Sequence, residues 1–251
     1  MATNKKVTRV EGGNAPSSNT TWAPTAEAKG RASQNRLFAG ILWLLAIIAE
    51  IVGIIILVKN PTPLTAGLRI WLIVVLVIDL ILLILGSSYW KKANRLDPPS
   101  NQSPMFMIQS QLGVVMAVIC FLPVVILAFI KKEYIVGAIA ALFLIGGGAA
   151  SADYHPASKE QYAQQTAEVE TLTGKNLVYW TKSGSKYHLY EDCRYINTSK
   201  TTEIFQGTVA QARELKNITE LCSACRDKVM KEKNITQEQL QQAENAATGA
   251  N

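Results

Sequence analysis

Four long apolar stretches between Leu37 and Ala150, then a span gathering three of the four cysteines and one of the two histidines, predict the fold class. It is an α-helical membrane domain of four transmembrane helices joined to a small α+β module. The stretches run Leu37–Val58, Ile70–Tyr89, Ile108–Ile130 and, more weakly and rich in Gly, Tyr134 to about Ser151. Each is near the roughly 20 residues an α-helix needs to cross a hydrocarbon slab. A soluble bundle would show a polar face every turn, and these stretches show none.

Residues 1–36 are polar, with few large apolar side chains, and read as a disordered basic tail that cannot bury enough surface to fold alone. The first apolar run starts too late and is too long for the core of a signal peptide. Charge divides the chain: residues 1–150 carry 13 Lys/Arg against 6 Asp/Glu, and residues 151–251 carry 12 against 13. The basic excess therefore belongs to the membrane half, where each Lys or Arg beside anionic lipid headgroups is worth about 1 kcal/mol. With the N-terminus inside, Lys29, Arg31, Arg36, Lys91, Lys92, Arg95 and Lys159 lie on the cytoplasmic side, against Lys59, Arg69, Lys131 and Lys132 opposite. That count predicts a multi-pass protein of the cell membrane with both termini cytoplasmic. A reducing compartment also keeps thiols available for metal.

Asn60-Pro61-Thr62-Pro63 ends the first helical hairpin, because proline has no N–H and restrains the residue before it. Asp97–Pro104 makes a longer turn-rich loop, and His155-Pro156 closes the fourth helix. Residues 153–175 read as a helical connector opened by the capping-box pair Ser158 and Gln161. Residues 176–230 form the compact module: a β-hairpin turning at Lys182–Ser185 leads into Tyr187 and His188, and Thr208–Lys216 has helical spacing behind an N-cap. Residues 231–251 are a polar tail, partly helical or disordered, with an exposed helix from Ile235 to Ala247.

His188, Cys193, Cys222 and Cys225 give H-x4-C, a 28-residue gap, then C-x2-C. Zinc takes four thiolate or imidazole donors tetrahedrally, and ligands paired closely in sequence close a small domain around the ion. Metal binding then supplies stability that a thin core lacks, and four protein ligands make the site structural. Two other readings stay open. Cys222 and Cys225 could be a redox dithiol, although no βαβ pattern surrounds them, and His188 could be a surface histidine beside three metal-binding cysteines. Cys120, in the third membrane helix, reads as a small buried apolar residue.

The stretch VYWTKSGSKYHLYEDCRYI, followed by an Ala-containing helix and C-x2-C, resembles the small metal-binding domain of the Ada-type DNA-repair regulators and similar modules appended to secreted bacterial nucleases. The resemblance covers about residues 177–228 and implies zinc ligands at His188, Cys193, Cys222 and Cys225. In the Ada-type domain the first ligand is a cysteine that accepts a methyl group from DNA phosphate. Here His188 stands in that place, and zinc-bound imidazole is no such acceptor. The net −1 of this half also lacks the basic footprint of a nucleic-acid partner. The membrane half resembles four-helix membrane proteins of Gram-positive bacteria, which implies no mechanism.

Glu50 and Asp79 are carboxylates inside the first two membrane helices. Lying 13 residues from Leu37 and 11 from Trp90, they sit about 20 and about 16 Å from the cytoplasmic helix ends at 1.5 Å per residue. An ionisable group there costs about 2.5 to 3.5 kcal/mol on insertion scales, so both should face the bundle interior. One reading is a proton or cation site with Gln109, Gln111 or Ser110 as polar neighbours near the cytoplasmic end of the third helix. The other is a protonated carboxyl bonding helix to helix, worth about 0.6 kcal/mol. Asp153 and His155 read as a solvated boundary.

The expected function is a non-enzymatic membrane protein whose cytoplasmic zinc module is an interaction or sensory element with a cytoplasmic protein partner. One alternative is a proton or cation channel or carrier using Glu50 and Asp79, whose path a homo-oligomer could complete. Another is a membrane-tethered nucleic-acid-binding or redox module. No nucleophile with a base and no phosphate loop argues for an enzyme.

Overall fold

A computed structural model describes residues 6–10, 24–216 and 218–248. The chain divides into two compact units, one of residues 30–94 and 102–156, the other of residues 1–29, 95–101 and 157–251. In chain order the elements are β1 (Lys6–Arg9), α1 (Ala26–Lys59), α2 (Ala66–Leu96), α3 (Phe106–Ser110), α4 (Leu112–Ile130), α5 (Tyr134–Ser151) and α6 (Lys159–Thr173), then β2 (Val178–Trp180), β3 (Lys186–Tyr187), β4 (Glu203–Gly207), α7 (Val209–Lys216), β5 (Glu220–Leu221), α8 (Ser223–Lys233) and α9 (Gln237–Thr248).

The first unit is the helical one. α1, α2, α4 and α5, of 34, 31, 19 and 18 residues, are each long and apolar enough to cross a membrane. Its side chains are arranged as a lipid surround would suit: Leu44, Ile48, Ile81, Ile126, Leu142 and Ile145 are exposed, while Ala39, Ala46, Ala117 and Ala140 are buried. Small residues let helices approach where no hydrophobic effect drives them together. A Cβ at Gly86 would lie 2.6 Å from the Trp43 ring, and one at Gly113 would lie 2.7 Å from Ser87 Oγ.

Both ends of this unit are tied by polar side chains. At one end Glu133 accepts the Leu64 N–H at 2.5 Å and Arg69 Nε at 3.1 Å. At the other, Gln111 Nε2 donates to Asp153 O at 2.6 Å while its Oε1 accepts the Asp153 N–H at 3.1 Å. Lys91 Nζ donates to the carbonyls of Ala150 and Ala152, at the end of α5. The expected uninterrupted helix from Ile108 is corrected here: the chain breaks at Gln111 between α3 and α4.

The second unit carries a sheet in the order β1-β4-β2, with β1 parallel and β2 antiparallel to β4, and a parallel pair β3-β5. A reciprocal pair of backbone bonds between Tyr179 and His188 links β2 to the end of β3. The core packs Val169, Leu172, Trp180, Tyr187, Val209 and Ile218. Ser158 caps α6 by accepting the Gln161 N–H at 3.1 Å. Thr208 and Gln211 form a second, reciprocal capping box at α7.

Two expectations about the tails change. Within residues 1–36, Lys6–Arg9 is a strand, and α1 begins at Ala26, where Thr25 Oγ1 accepts the Ala28 N–H at 3.1 Å. The composition argument weighed apolar burial alone, while this cap and the helix-forming residues behind it start the helix early. The rest of that tail, residues 1–5 and 11–23, lies outside the described residues, as do residues 249–251. α9 packs against α6 with Leu240 and Ala247 buried, so the expected exposed helix has one covered face.

Candidate metal centre

His188, Cys193, Cys222 and Cys225 converge, with one ligand atom from each lying within 4.8 Å of all the others. Strand register explains half of this. β3 pairs with β5 so that Tyr187 faces Leu221, which leaves the following residues, His188 and Cys222, side by side. Cys222 is also the N-cap residue of α8, which places Cys225 in the first turn of that helix, its N–H donating to Cys222 O at 3.0 Å. Cys193 sits in a tight turn in which the N–H groups of Ile196 and Asn197 both donate to its carbonyl.

The approach of His188 identifies the nitrogen involved. Nδ1 is 3.3 Å from Cys193 Sγ and 3.7 Å from Cys225 Sγ, so Nδ1 is the atom aimed into the cluster. Burial pushes His188 down to about 4, which keeps the imidazole neutral and its lone pair available. Burial, with the thiols of Cys193 and Cys222 nearby, pushes Cys225 up to about 12. A divalent cation at the centre of the four donors would favour the Cys225 thiolate by direct coordination. The N-terminus of α8 favours the thiolate as well. All three cysteines are free thiols, and the donor set fits a metal ion.

Beside the cluster lies a cleft of about 480 Å³, lined by residues that include Leu172 of α6, Lys175 just after it, Tyr179 of β2, Leu189 and Tyr190 next to His188, and Val229 of α8. One feature invisible in sequence is Arg213. Its guanidinium, buried, lies 3.5 Å over the Tyr162 ring and donates to Gln165 Oε1 at 3.1 Å, joining α7 to α6. No motif announces it; only the tertiary approach of the two helices does.

In the helical unit, Glu50 and Asp79 are both buried. They lie within electrostatic reach of each other and of Cys120. Glu50 Oε1 accepts the Val124 N–H at 3.3 Å, one residue past Pro123 inside α4. Glu50 Oε2 and both oxygens of Asp79 have no hydrogen-bond partner among the described residues. The expected polar neighbours are corrected: Gln111 bonds the Asp153 backbone, Ser110 Oγ donates to Phe106 O, and the Gln109 carbonyl accepts Trp90 Nε1. The three lie at the α3–α4 junction, the expected end of the third span, but their bonds go to neighbouring backbone and Trp90. Asp153 is buried and accepts the N–H of exposed His155 at 3.3 Å, a helix-end arrangement.

Against known proteins, no family model, no curated protein and no solved structure matches this chain.

Proposed function

We propose that this is a multi-pass membrane protein whose C-terminal unit is a structural-zinc module serving as an interaction or sensory element on the cytoplasmic side. The observation that carries the reading is the convergence of four donor atoms within 4.8 Å. Tetrahedral zinc with bonds of about 2.1 Å to nitrogen and about 2.3 Å to sulfur needs N–S edges near about 3.6 Å. The two His188–cysteine separations, 3.3 and 3.7 Å, bracket that value. Four protein donors close the coordination sphere, which suits a structural ion and leaves no position for a reacting water. The adjoining cleft is lined by both apolar and charged side chains, among them Leu177, Val229, Lys175 and Lys233, with Glu191 and Asp192 next to the Cys193 turn. An occupant there would touch the same loop that the metal holds.

The Lys/Arg count and an even number of candidate spans support placing both termini on the cytoplasmic side. Elemental analysis of the full chain, purified in detergent without added metal, tests the zinc reading. About one zinc per chain, absent from Cys193→Ser and His188→Ala variants, supports it; no metal, with Cys222 and Cys225 reacting as an oxidisable pair, replaces it with redox chemistry.

A second reading, a proton or cation path through Glu50 and Asp79, is favoured by three buried carboxyl oxygens without a partner among the described residues. Protonation or a small cation would satisfy them. Proton flux into vesicles carrying the full chain should fall in the double variant Glu50→Gln, Asp79→Asn; unchanged flux removes this reading.

A further inference from the structure

The outer edge of β4 is covered by the chain's own strand β1. The two run parallel, in register from Lys6 opposite Glu203 to Arg9 opposite Gln206. Just past the strand, the Val10 N–H donates to Gln206 O at 2.9 Å, and Val10 O accepts Gln211 Nε2 at 3.4 Å. The Thr8 hydroxyl donates to the Glu203 carboxylate. Val10 packs against the core of this unit, whereas Val7 is exposed. What β4 reads is therefore a short pattern: an extended backbone, a hydroxyl that reaches Glu203, and a branched apolar side chain two residues later.

Such a strand is weakly held. It offers few backbone bonds, each worth about 1 kcal/mol net, against the cost of ordering its residues. Because β1 and β4 belong to one chain, β1 competes for the edge intramolecularly, at an effective concentration of about 1 mM. Removing β1 would leave β4 with a row of unpaired N–H and C=O groups, the template that strand-adding partners use. Charge complements the fit: Lys6 and Arg9 belong to the strand, Glu203 to the acceptor.

We propose that the outer edge of β4 is a strand-acceptor site for a short extended segment of another protein, basic, with Thr or Ser two residues before Val or Ile. Residues 6–10 keep it closed in cis until such a segment displaces them. The site is separate from the four-ligand cluster, so its failure leaves the zinc reading standing.

The test uses the full chain and a chain lacking residues 1–10, both in detergent micelles, with a fluorescent peptide of sequence KKVTRV read by anisotropy. The truncated chain should bind the peptide more tightly than the full chain, by about tenfold for a peptide Kd of about 0.1 mM, since the strand in cis competes at about 1 mM. Bound peptide should also slow amide exchange at residues 203–207. A peptide with proline in place of the threonine should not bind, because it loses a backbone donor and the hydroxyl. The full-length Val10→Asp variant, which loosens β1 without shortening the chain, should gain the same affinity. Equal binding to full and truncated chains, or no binding to either the truncated chain or the Val10→Asp variant, overturns the proposal. A full chain that is dimeric where the truncated chain is monomeric overturns it too, assigning the edge to the strand of a second copy.

Discussion

Tyr187 O accepts the Cys222 N–H at 2.9 Å, and this backbone bond joins the two halves of the candidate four-ligand cluster. His188 follows the acceptor and Cys222 is the donor, so pairing of β3 with β5 and assembly of the donor set are a single event. Cys222→Ser should keep the backbone bond and remove the thiolate. Measured metal should fall from about one equivalent to near none, because a metal site and its fold are coupled. Amide exchange across residues 186–222 should speed up in the same variant; retained metal with unchanged exchange would show that Cys222 is no ligand.

Chelation of the unsubstituted protein should act on one unit only. The second unit has a modest core around Trp180 and Tyr187, while the helical unit packs around Leu72, Leu76, Leu83 and Phe121 without any cluster ligand. A strong chelator should therefore expose residues 176–230 to limited proteolysis and leave residues 37–150 protected. Cleavage spread evenly over both would show that the metal does not stabilise the module.

Much of this arrangement is legible in the sequence for a physical reason. Hydrophobic length announces the four helices long and apolar enough to cross a membrane, since a lipid core demands about 20 apolar residues regardless of tertiary context. The spacing of His188, Cys193, Cys222 and Cys225 announces the cluster because ligand pairs must be close in sequence. What stays hidden depends on groups far apart in the chain. β1 finds β4 across the 195 residues from Thr8 to Glu203, α3 breaks from α4 where Gln111 clamps Asp153, and Arg213 stacks on Tyr162. Neither periodicity nor composition encodes such pairings.

Glu133 should confer an acid-sensitive stability on the helical unit. Burial works against its ionisation, but the Leu64 N–H and Arg69 outweigh that and hold the carboxyl below its ordinary value of 4.5. A carboxylate lowered in the folded state contributes stability that is fully present above pH 4.5 and is lost as pH falls through the folded value. Glu133→Gln should cost about 1.5 to 3 kcal/mol at pH 7, the range for hydrogen bonds to a charged group. The difference from the unsubstituted protein should shrink as thermal unfolding in detergent is repeated toward pH 3. A gap that stays constant would show that the charge is not what stabilises.

Gly86 is required by the ring of Trp43. A Cβ there would come 2.6 Å from the indole, well inside van der Waals contact, and Trp43 is itself buried and packed at 5.4 Å on Trp90. Gly86→Ala should destabilise the helical unit by about 1 to 3 kcal/mol through overpacking. Gly67→Ala, where a Cβ meets nothing within 4 Å, is the control and should be neutral or slightly stabilising. Equal effects of the two substitutions in thermal unfolding would show that helix propensity, not packing, decides.

Arg213 should prove hard to replace by lysine. Burial lowers the guanidinium to about 10, so it stays charged at neutral pH inside the module. It holds that position through its plane over Tyr162 and its bond to Gln165. Lysine keeps the charge but has neither the flat face nor the fork of donors, and an ammonium is more costly to desolvate. Arg213→Lys should therefore destabilise the module by about as much as Arg213→Met, on the order of 1 to 2 kcal/mol, with amide exchange in α6 and α7 reporting the loss. If lysine restores protection and methionine does not, charge alone holds α7 to α6, and the stacking on Tyr162 is incidental.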